Sequence, residues 1–401
     1  MIIAVDARPL VRPQIAGVEQ RARNILAAWA RSAAGTGAAG RAGGAGSHEF
    51  YLIYTRGSEA EQFDDAMLKG LPGNFHPVEI SSYNLPSRFR TGSRVLNVLA
   101  RAINRVKADV YHAFTVEVPR IRTCPVVPTI HDLSFELDPV VHRTPAGREM
   151  HRVTLHSVKY AQRVIAVSSQ TKYDIASIYR MAPEQIDVVY NGIDAAFSPL
   201  PPTVLPKPQP VHIANGISGR YILSVGADIP RRNYRRILTA MQIVWATPEG
   251  GRTKWVLAGR QAWKDSAIYA AAAAAGVLDR MRFVEAPTNT ELADLYRGAR
   301  LTCCASSFEG FGLSVLESMA CGAAVACSDM RSLREVAEDA AVYFPHDDAE
   351  TMGQAIAGLL EDAEYRRQLK YRGIYRASLF TWDTAGELTL ASLATAVRGS
   401  R

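Results

Sequence analysis

The run Ser306-Ser307-Phe308-Glu309-Gly310-Phe311-Gly312-Leu313-Ser314-Val315-Leu316-Glu317-Ser318-Met319-Ala320-Cys321-Gly322 decides how this chain is read. Ahead of it, Leu301-Thr302-Cys303-Cys304-Ala305 is a short apolar run of the kind that forms a buried parallel strand. Gly310 and Gly312 permit a tight backbone turn, and a helix is expected from about Leu313 to Cys321. Gly322 sits where a left-handed C-terminal residue is wanted, and Ala323 to Cys327 resumes an extended apolar run. The order is strand, glycine loop, helix, strand.

A helix that opens off a glycine loop has a use. Its first N–H groups lack intrahelical partners and carry the positive end of the dipole, so they can receive a phosphate or diphosphate. Glu309 lies just ahead of the helix, and Glu317 lies inside a helix otherwise made mostly of apolar residues. An ionised group on such a segment is costly unless something bonds to it, and sugar or ribose hydroxyls would do so. The competing reading is a buried helix whose Glu317 pairs with an arginine.

Glu309 and Glu317, in the setting Phe-Glu-Gly-Phe-Gly-Leu followed by Glu-Ser-Met-Ala-Cys-Gly, resemble the signature of the retaining glycosyltransferases of family 4. The resemblance implies two Rossmann-like domains in the GT-B arrangement. It implies that Glu309 contacts donor-sugar hydroxyls, that Glu317 contacts the ribose, and that Gly310, Phe311, Gly312 and Leu313 present backbone to the diphosphate.

The chain has 401 residues, enough for two domains with separate cores, and its 48% hydrophobic and 21% charged content is that of a globular protein. No apolar run approaches the ~18 residues of a membrane span, and Met1 to Asp6 runs straight into a strand-like pattern rather than a signal peptide. The expected location is the cytoplasm. Five cysteines without a CxxC pair read as reduced core thiols. A net charge of +7 favours polyanionic partners, although no aromatic-interleaved basic motif points to nucleic acid.

From the N-terminus, Ile2 to Asp6 reads as a strand and Ala16 to Arg31 as an amphipathic helix, with Gly17 at the helix entrance as a candidate neighbour of the donor or simply a helix-entry turn. Gly35, Gly37 and Gly40 satisfy GxGxxG, but they follow a helix and lead into a strand, which is the wrong order for a dinucleotide site. Residues 84–122 are the most basic part of the chain. Arg88, Arg90, Arg94, Arg101 and Arg105 lie in or near an expected amphipathic helix from Arg94 to Lys107, which either rests on anionic lipid or shows a solvated outer face. Pro125 to Ile130 is a strand that delivers His131 and Asp132 at its C-terminal end, where sites of open α/β sheets gather. Thr129 to Leu133 also resembles the family's first-domain motif, whose histidine sits by the donor sugar; a strand-end structural histidine is the alternative.

A proline-rich stretch from Ser198 to Pro210 ends the first domain. Beyond it, Arg220 to Val225 feeds a glycine loop at Gly226, then Arg231, Arg232 and Asn233 ahead of a helix. Paired guanidinium groups there suit a diphosphate in charge and geometry. The family usually has Arg-Lys-Asn at this place, so which arginine touches phosphate stays open. At the turn Glu285 to Pro287, Glu285 stands where the family commonly has glycine.

The expected architecture is α/β, with two doubly wound Rossmann-like domains facing across a cleft. The acceptor-side domain is expected at 1–200, a linker at 201–219, the nucleotide-sugar domain at 220–380, and a final helix at 381–401 packing back toward the first domain. The implied function is retaining transfer of a hexose from a nucleoside diphosphate sugar to a hydroxyl of a glycan or lipid-linked acceptor, with GDP-mannose the first donor to consider and a UDP-hexose the second. No Asp-x-Asp motif or zinc spacing is present, so no metal and no cofactor are expected. A nucleotide-sugar epimerase of the same plan and a non-catalytic binding subunit are the alternatives.

Overall fold

The computed structural model describes residues 1–11, 17–35, 47–55, 70–80, 93–201 and 209–400. Two units are separated, Met1–Gly192 with Thr381–Arg401, and Ile193–Phe380.

In the first unit the strands β1 (Ile2–Asp6), β2 (Glu49–Thr55), β3 (Phe75–Ile80), β4 (Val110–Ala113), β5 (Val126–Ile130), β6 (Val164–Ala166) and β7 (Ile186–Val188) form one sheet in the order β3-β2-β1-β4-β5-β6-β7. Every pairing is parallel. A parallel sheet covered on both faces demands apolar side chains pointing both ways, and β1 supplies them. Ile3 and Val5 enter one core with Trp29 and Phe50, while Ala4 enters another with Leu99 and Tyr111. The helix Gly17–Ala33 buries Ala22, Ile25, Leu26 and Trp29, a stripe at helical spacing. Beside it packs the helix Trp382–Gly399, whose Gly386 carbonyl accepts the Trp29 indole N–H at 2.9 Å. Ser392 of the same helix donates to Asp187 of β7 at 2.6 Å.

The second unit holds β8 (Arg220–Val225), β9 (Thr253–Gly259), β10 (Met281–Glu285), β11 (Leu301–Cys304), β12 (Ala324–Ser328) and β13 (Ala341–Phe344), in the order β10-β9-β8-β11-β12-β13 and again parallel throughout. The order reverses between β8 and β11, which leaves a crevice at their carboxyl ends.

The unit boundary falls at Gly192, before the proline-rich stretch, for a physical reason. The Ile193 N–H donates to the Phe380 carbonyl at 3.0 Å, and Arg297 donates to the carbonyls of Ala196 and Ser198 at 2.9 and 2.8 Å. Residues 193–198 are thereby tied into the second unit. Part of the expected linker is also folded: the helix Pro210–Ala214 buries His212, whose ring lies 2.9 Å from the Tyr221 hydroxyl of β8. Residues 36–46, which hold most of the glycine-rich stretch, lie outside the described residues.

Candidate active site

The site of the second unit is built at the carboxyl ends of β8 and β11. After Val225 the backbone turns at Gly226 with φ of 130°, a conformation that side chains rarely adopt. A Cβ there would lie 2.7 Å from the Nε of Arg232, so the glycine also makes room for that guanidinium. A single 3-10 turn, Pro230–Arg232, leads to Asn233 at φ 62°, a left-handed position that asparagine tolerates. The Asn233 amide donates to the carbonyls of Ala305 at 3.2 Å and His346 at 2.6 Å, and Ser307 N–H donates to the Arg231 carbonyl at 2.8 Å. These bonds fasten the arginine turn to the loop that follows β11.

Glu309 is the centre of that loop. It is 7% exposed; its Oε1 accepts from Arg232 Nη1 at 2.5 Å and from the Ser306 hydroxyl at 2.8 Å, and its Oε2 lies 3.8 Å from Arg231 Nη1. Burial, the largest single influence, lowers the pKa of Arg232, but Glu309 first and then Cys304, Tyr234 and Tyr296 act upward, and together they leave the net shift upward. The Nε of Arg232 is buried without a hydrogen-bond partner. Arg231 is the more open of the two, with 30% of its side chain exposed against 19% for Arg232. Ser332 and Ser328 brace the loop from behind through the carbonyls of Glu309 and Ser306, both at 2.6 Å.

Gly310, Phe311, Gly312 and Leu313 lead from Glu309 into the helix Leu313–Ala320. Gly312 caps it at φ 101° with no side-chain hydrogen bond, so the orphan donors of the first turn are left for something other than a capping side chain. Glu317 lies further along the helix, 7% exposed, and accepts from the buried Tyr296 hydroxyl at 3.1 Å. Burial, and then the charge of Glu317, push the Tyr296 phenol well above its ordinary range, so it stays a donor. Glu285 accepts from the Trp263 N–H at 3.2 Å, and the next residue, Ala286, keeps a positive φ of 43°.

Arg231, Arg232, Asn233, Gly226 and Glu309 are therefore brought together, with Gly310 to Leu313 adjoining in the chain. His131 and Gly17 belong to the first unit. His131 follows β5, and its Nε2 lies 2.9 Å from the Phe114 carbonyl. A carbonyl only accepts, so Nε2 carries the proton and Nδ1 of the neutral ring is an acceptor. Burial and the charge of Arg21 lower its pKa to about 4, against the Phe114 bond and Asp132, which act upward. Gly17 is exposed at the first turn of its helix, and the loop at 12–16 before it lies outside the described residues.

Ser306, Tyr296 and Arg21 had no assigned role in the sequence reading. Ser306, three residues before Glu309, could have been picked as a hydroxyl beside a carboxylate. Tyr296 meets Glu317 across 21 residues, and no local pattern reports that. Arg21 is buried, bonded through Nη1 to Asn191 Oδ1 at 2.7 Å and to the Val189 carbonyl at 3.1 Å, and burial lowers its pKa to about 9.

Of the basic segment, Arg88 and Arg90 lie outside the described residues, as does the side chain of Arg94. Arg101 and Arg105 are exposed, while Leu99, Ala102 and Ile103 of the helix Ser93–Arg105 are buried against the sheet. All five cysteines are free and buried. Among the described residues no helix is long and apolar enough to cross a membrane, and no group of three or more His, Cys, Asp or Glu is placed to hold a metal ion.

A switch-point crevice with paired arginines, a buried carboxylate and a helix start without a side-chain cap is an arrangement chemically suited to an anionic ligand. Comparison with known proteins makes the class specific. Residues 39–197 match the family model described as Glycosyltransferase Family 4, and residues 214–376 match Glycosyl transferases group 1. The chain belongs to these glycosyltransferases, whose fold class is GT-B. It is 28% identical over 295 residues to O-antigen chain mannosyltransferase B of Escherichia coli, covering 73% of this chain and 75% of that one. It is 28% identical over 241 residues to a D-inositol 3-phosphate glycosyltransferase of Thermobispora bispora, covering 58% and 55%. Among solved structures, HepE of Anabaena in complex with UDP and glucose aligns with a TM-score of 0.71 at 16% identity, over 98% of this chain and 99% of that one.

Proposed function

We propose that the chain moves mannose from GDP-mannose to a hydroxyl of a glycan or lipid-linked acceptor, with retention at the anomeric carbon, in surface polysaccharide or glycolipid biosynthesis. The carrying observation is the cluster of Glu309, Arg232 and Arg231 beside the uncapped start of the helix Leu313–Ala320. The choice of mannose rests on the likeness to O-antigen chain mannosyltransferase B; a UDP-hexose is the second choice of donor.

In this reading the arginines and the helix N-terminus take the diphosphate, whose negative charge grows as the sugar departs, and they are already oriented to receive it. Arg231, the more exposed, meets phosphate first, and Arg232 stays against Glu309 as the sugar hydroxyls bond to that carboxylate. Glu317 accepts from the ribose, and His131, held neutral, offers Nδ1 to a substrate hydroxyl. The sequence singles out no second carboxylate as a nucleophile, so the acceptor attacks from the face the diphosphate leaves, and the leaving phosphate helps take the acceptor proton. The scheme uses no divalent cation, and a chelator such as EDTA is expected to leave the initial rate unchanged. Arg101 and Arg105, with Arg88, Arg90 and Arg94, add electrostatic contact with anionic lipid at the inner face of the membrane.

The test is thermal stabilisation and sugar transfer with GDP-mannose, UDP-glucose and UDP-GlcNAc, repeated on Glu317→Ala. At a hundredfold excess over its dissociation constant the true donor stabilises by ~2.7 kcal/mol. Selective stabilisation by GDP-mannose, lost in Glu317→Ala, is the expected result. Stabilisation and turnover with a UDP-sugar alone overturn the choice of mannose, and an epimerised sugar in place of transfer overturns the reaction.

A further inference from the structure

The first unit has a switch point of its own. Its strand order reverses between β1 and β4, and their carboxyl ends leave a crevice beside the end of β5, which carries His131. Asp6 ends β1 fully buried, where an ionised group needs a partner. Arg8, in the 3-10 turn Arg8–Val11, supplies it: Nε donates to Asp6 Oδ1 at 2.8 Å and Nη2 to Oδ2 at 2.6 Å. Beyond β4 the chain runs through residues 114–117 before Val118 enters the core. Three side chains from elsewhere hold this loop by its carbonyls. His131 donates to Phe114 at 2.9 Å, Ser157 donates to Val116, and Arg8 Nη2 donates to Glu117 at 3.1 Å. A loop fastened in this way is a preorganised platform. It presents the Glu117 side chain, which is 42% exposed. Glu117 Oε2 lies 3.9 Å from Arg8 Nη1, too far for a hydrogen bond, and among the described residues no hydrogen bond takes up this carboxylate.

We infer that Glu117 and Arg8 form the subsite that binds a hydroxyl of the acceptor sugar. A hydroxyl both donates and accepts. Placed between the two groups, it donates to Glu117 Oε2 and accepts from Arg8 Nη1, closing the 3.9 Å gap that is too long for a direct bond. Charge points to the same chemistry, because Asp6 and Glu117 against Arg8 suit a neutral sugar rather than a phosphate. The position fits as well. Phe114, whose carbonyl accepts from His131, is three residues from Glu117, so their backbones are about 11 Å apart at most, a distance that a short glycan spans. An acceptor held at Glu117 thus extends along the loop that His131 braces.

The subsite rests on the reading of the chain as a transferase to a sugar hydroxyl, and the test separates the two. Mannotriose is the acceptor probe, used with whichever of GDP-mannose, UDP-glucose and UDP-GlcNAc turns over. Its binding to the intact chain with GDP or UDP present is also read by saturation-transfer NMR, which needs no turnover. Glu117→Gln keeps the shape of an exposed side chain and removes its charge. It should raise the KM for mannotriose about tenfold, as loss of a hydrogen bond to a charged group does, and weaken the NMR signal. Donor affinity and the melting curve should not change. Arg8→Lys, whose single head group cannot hold Asp6 and reach Glu117 together, should raise the same KM. Wild-type KM in either variant, an unchanged NMR signal in Glu117→Gln, or a parallel loss of donor affinity in Glu117→Gln overturns the subsite. Absence of mannotriose binding to the wild type overturns it too. Failure of transfer with every donor, while Glu117→Gln still abolishes mannotriose binding, supports the subsite and overturns the proposed reaction.

Discussion

Replacing Glu309 by glutamine removes one charge and almost nothing of the side chain's shape. An oxygen remains for Arg232 Nη1, now 2.5 Å away, and for the Ser306 hydroxyl at 2.8 Å. What disappears is the counter-charge to a guanidinium that shows only 19% of its side chain to solvent. Removing one partner of a fully buried pair costs 3–5 kcal/mol as an order of magnitude, roughly. Retained hydrogen bonds and partial solvation of Arg232 reduce this to about 1–2 kcal/mol. For a unit of this size that is a fall of roughly 2–8 °C in melting temperature. In the proposed mechanism the carboxylate both bonds the sugar and sets the charge balance beside the departing diphosphate, so the effect on transfer should be much larger, about a hundredfold or more. The assay is the initial transfer rate together with donor affinity and a melting curve on the same sample. Transfer within about threefold of wild type, at unchanged donor affinity, would falsify the catalytic assignment. An unchanged melting temperature would show that the Glu309–Arg232 pair does not support the loop.

Gly226→Ala places a Cβ 2.7 Å from Arg232 Nε at a positive φ, so the Arg232 side chain must shift; roughly 1–3 kcal/mol of strain and a loss of donor affinity are expected, and calorimetric binding equal to wild type refutes it. Tyr296→Phe strips the hydroxyl that bonds the buried Glu317, at a cost of about 1–3 kcal/mol. A melting curve superimposable on wild type would show that other groups satisfy this carboxylate. Fully buried His112 has its pKa lowered to about 4 by burial, with the Val127 carbonyl acting upward and Arg21 downward. The unfolded ring takes a proton near pH 6.5 and the folded ring does not, so this group lowers stability as pH falls from about 6.5 toward 4, by up to ~1.4 kcal/mol per pH unit, and has no effect above that window. Its ring resonances should stay those of the neutral form from pH 7 to pH 5, and a midpoint near 6.5 rules the argument out.

The stretch from Leu301 to Cys327 folds almost as its residues demand, because everything it needs is local. A strand buried on both faces reads as a continuous apolar run, Gly312 and Gly322 take positive φ where the helix begins and ends, and the helix runs Leu313–Ala320. Caps are legible for the same reason: the Ser168 and Thr381 hydroxyls accept from N–H groups three residues on. Glu309, Arg231 and Arg232 could be named as candidates from their place in strand–loop–helix units.

What joins them could not be read that way. Glu309 and Arg232 are 77 residues apart, and they meet because β8 and β11 are neighbours in the sheet, an order that no single segment encodes. The same holds for Tyr296 against Glu317, for the space that Gly226 leaves for Arg232, and for the burial of Arg21. It holds also for the boundary at Gly192, where the proline-rich stretch pointed further along the chain and Arg297 decided otherwise. Backbone conformation is chosen by sterics and hydrogen bonds among near neighbours, so the sequence by itself determined the elements and the chemistry available at their ends. Which of those ends lie side by side, and so which charge faces which, is settled by the packing of whole strands and helices, and only the tertiary structure decided that.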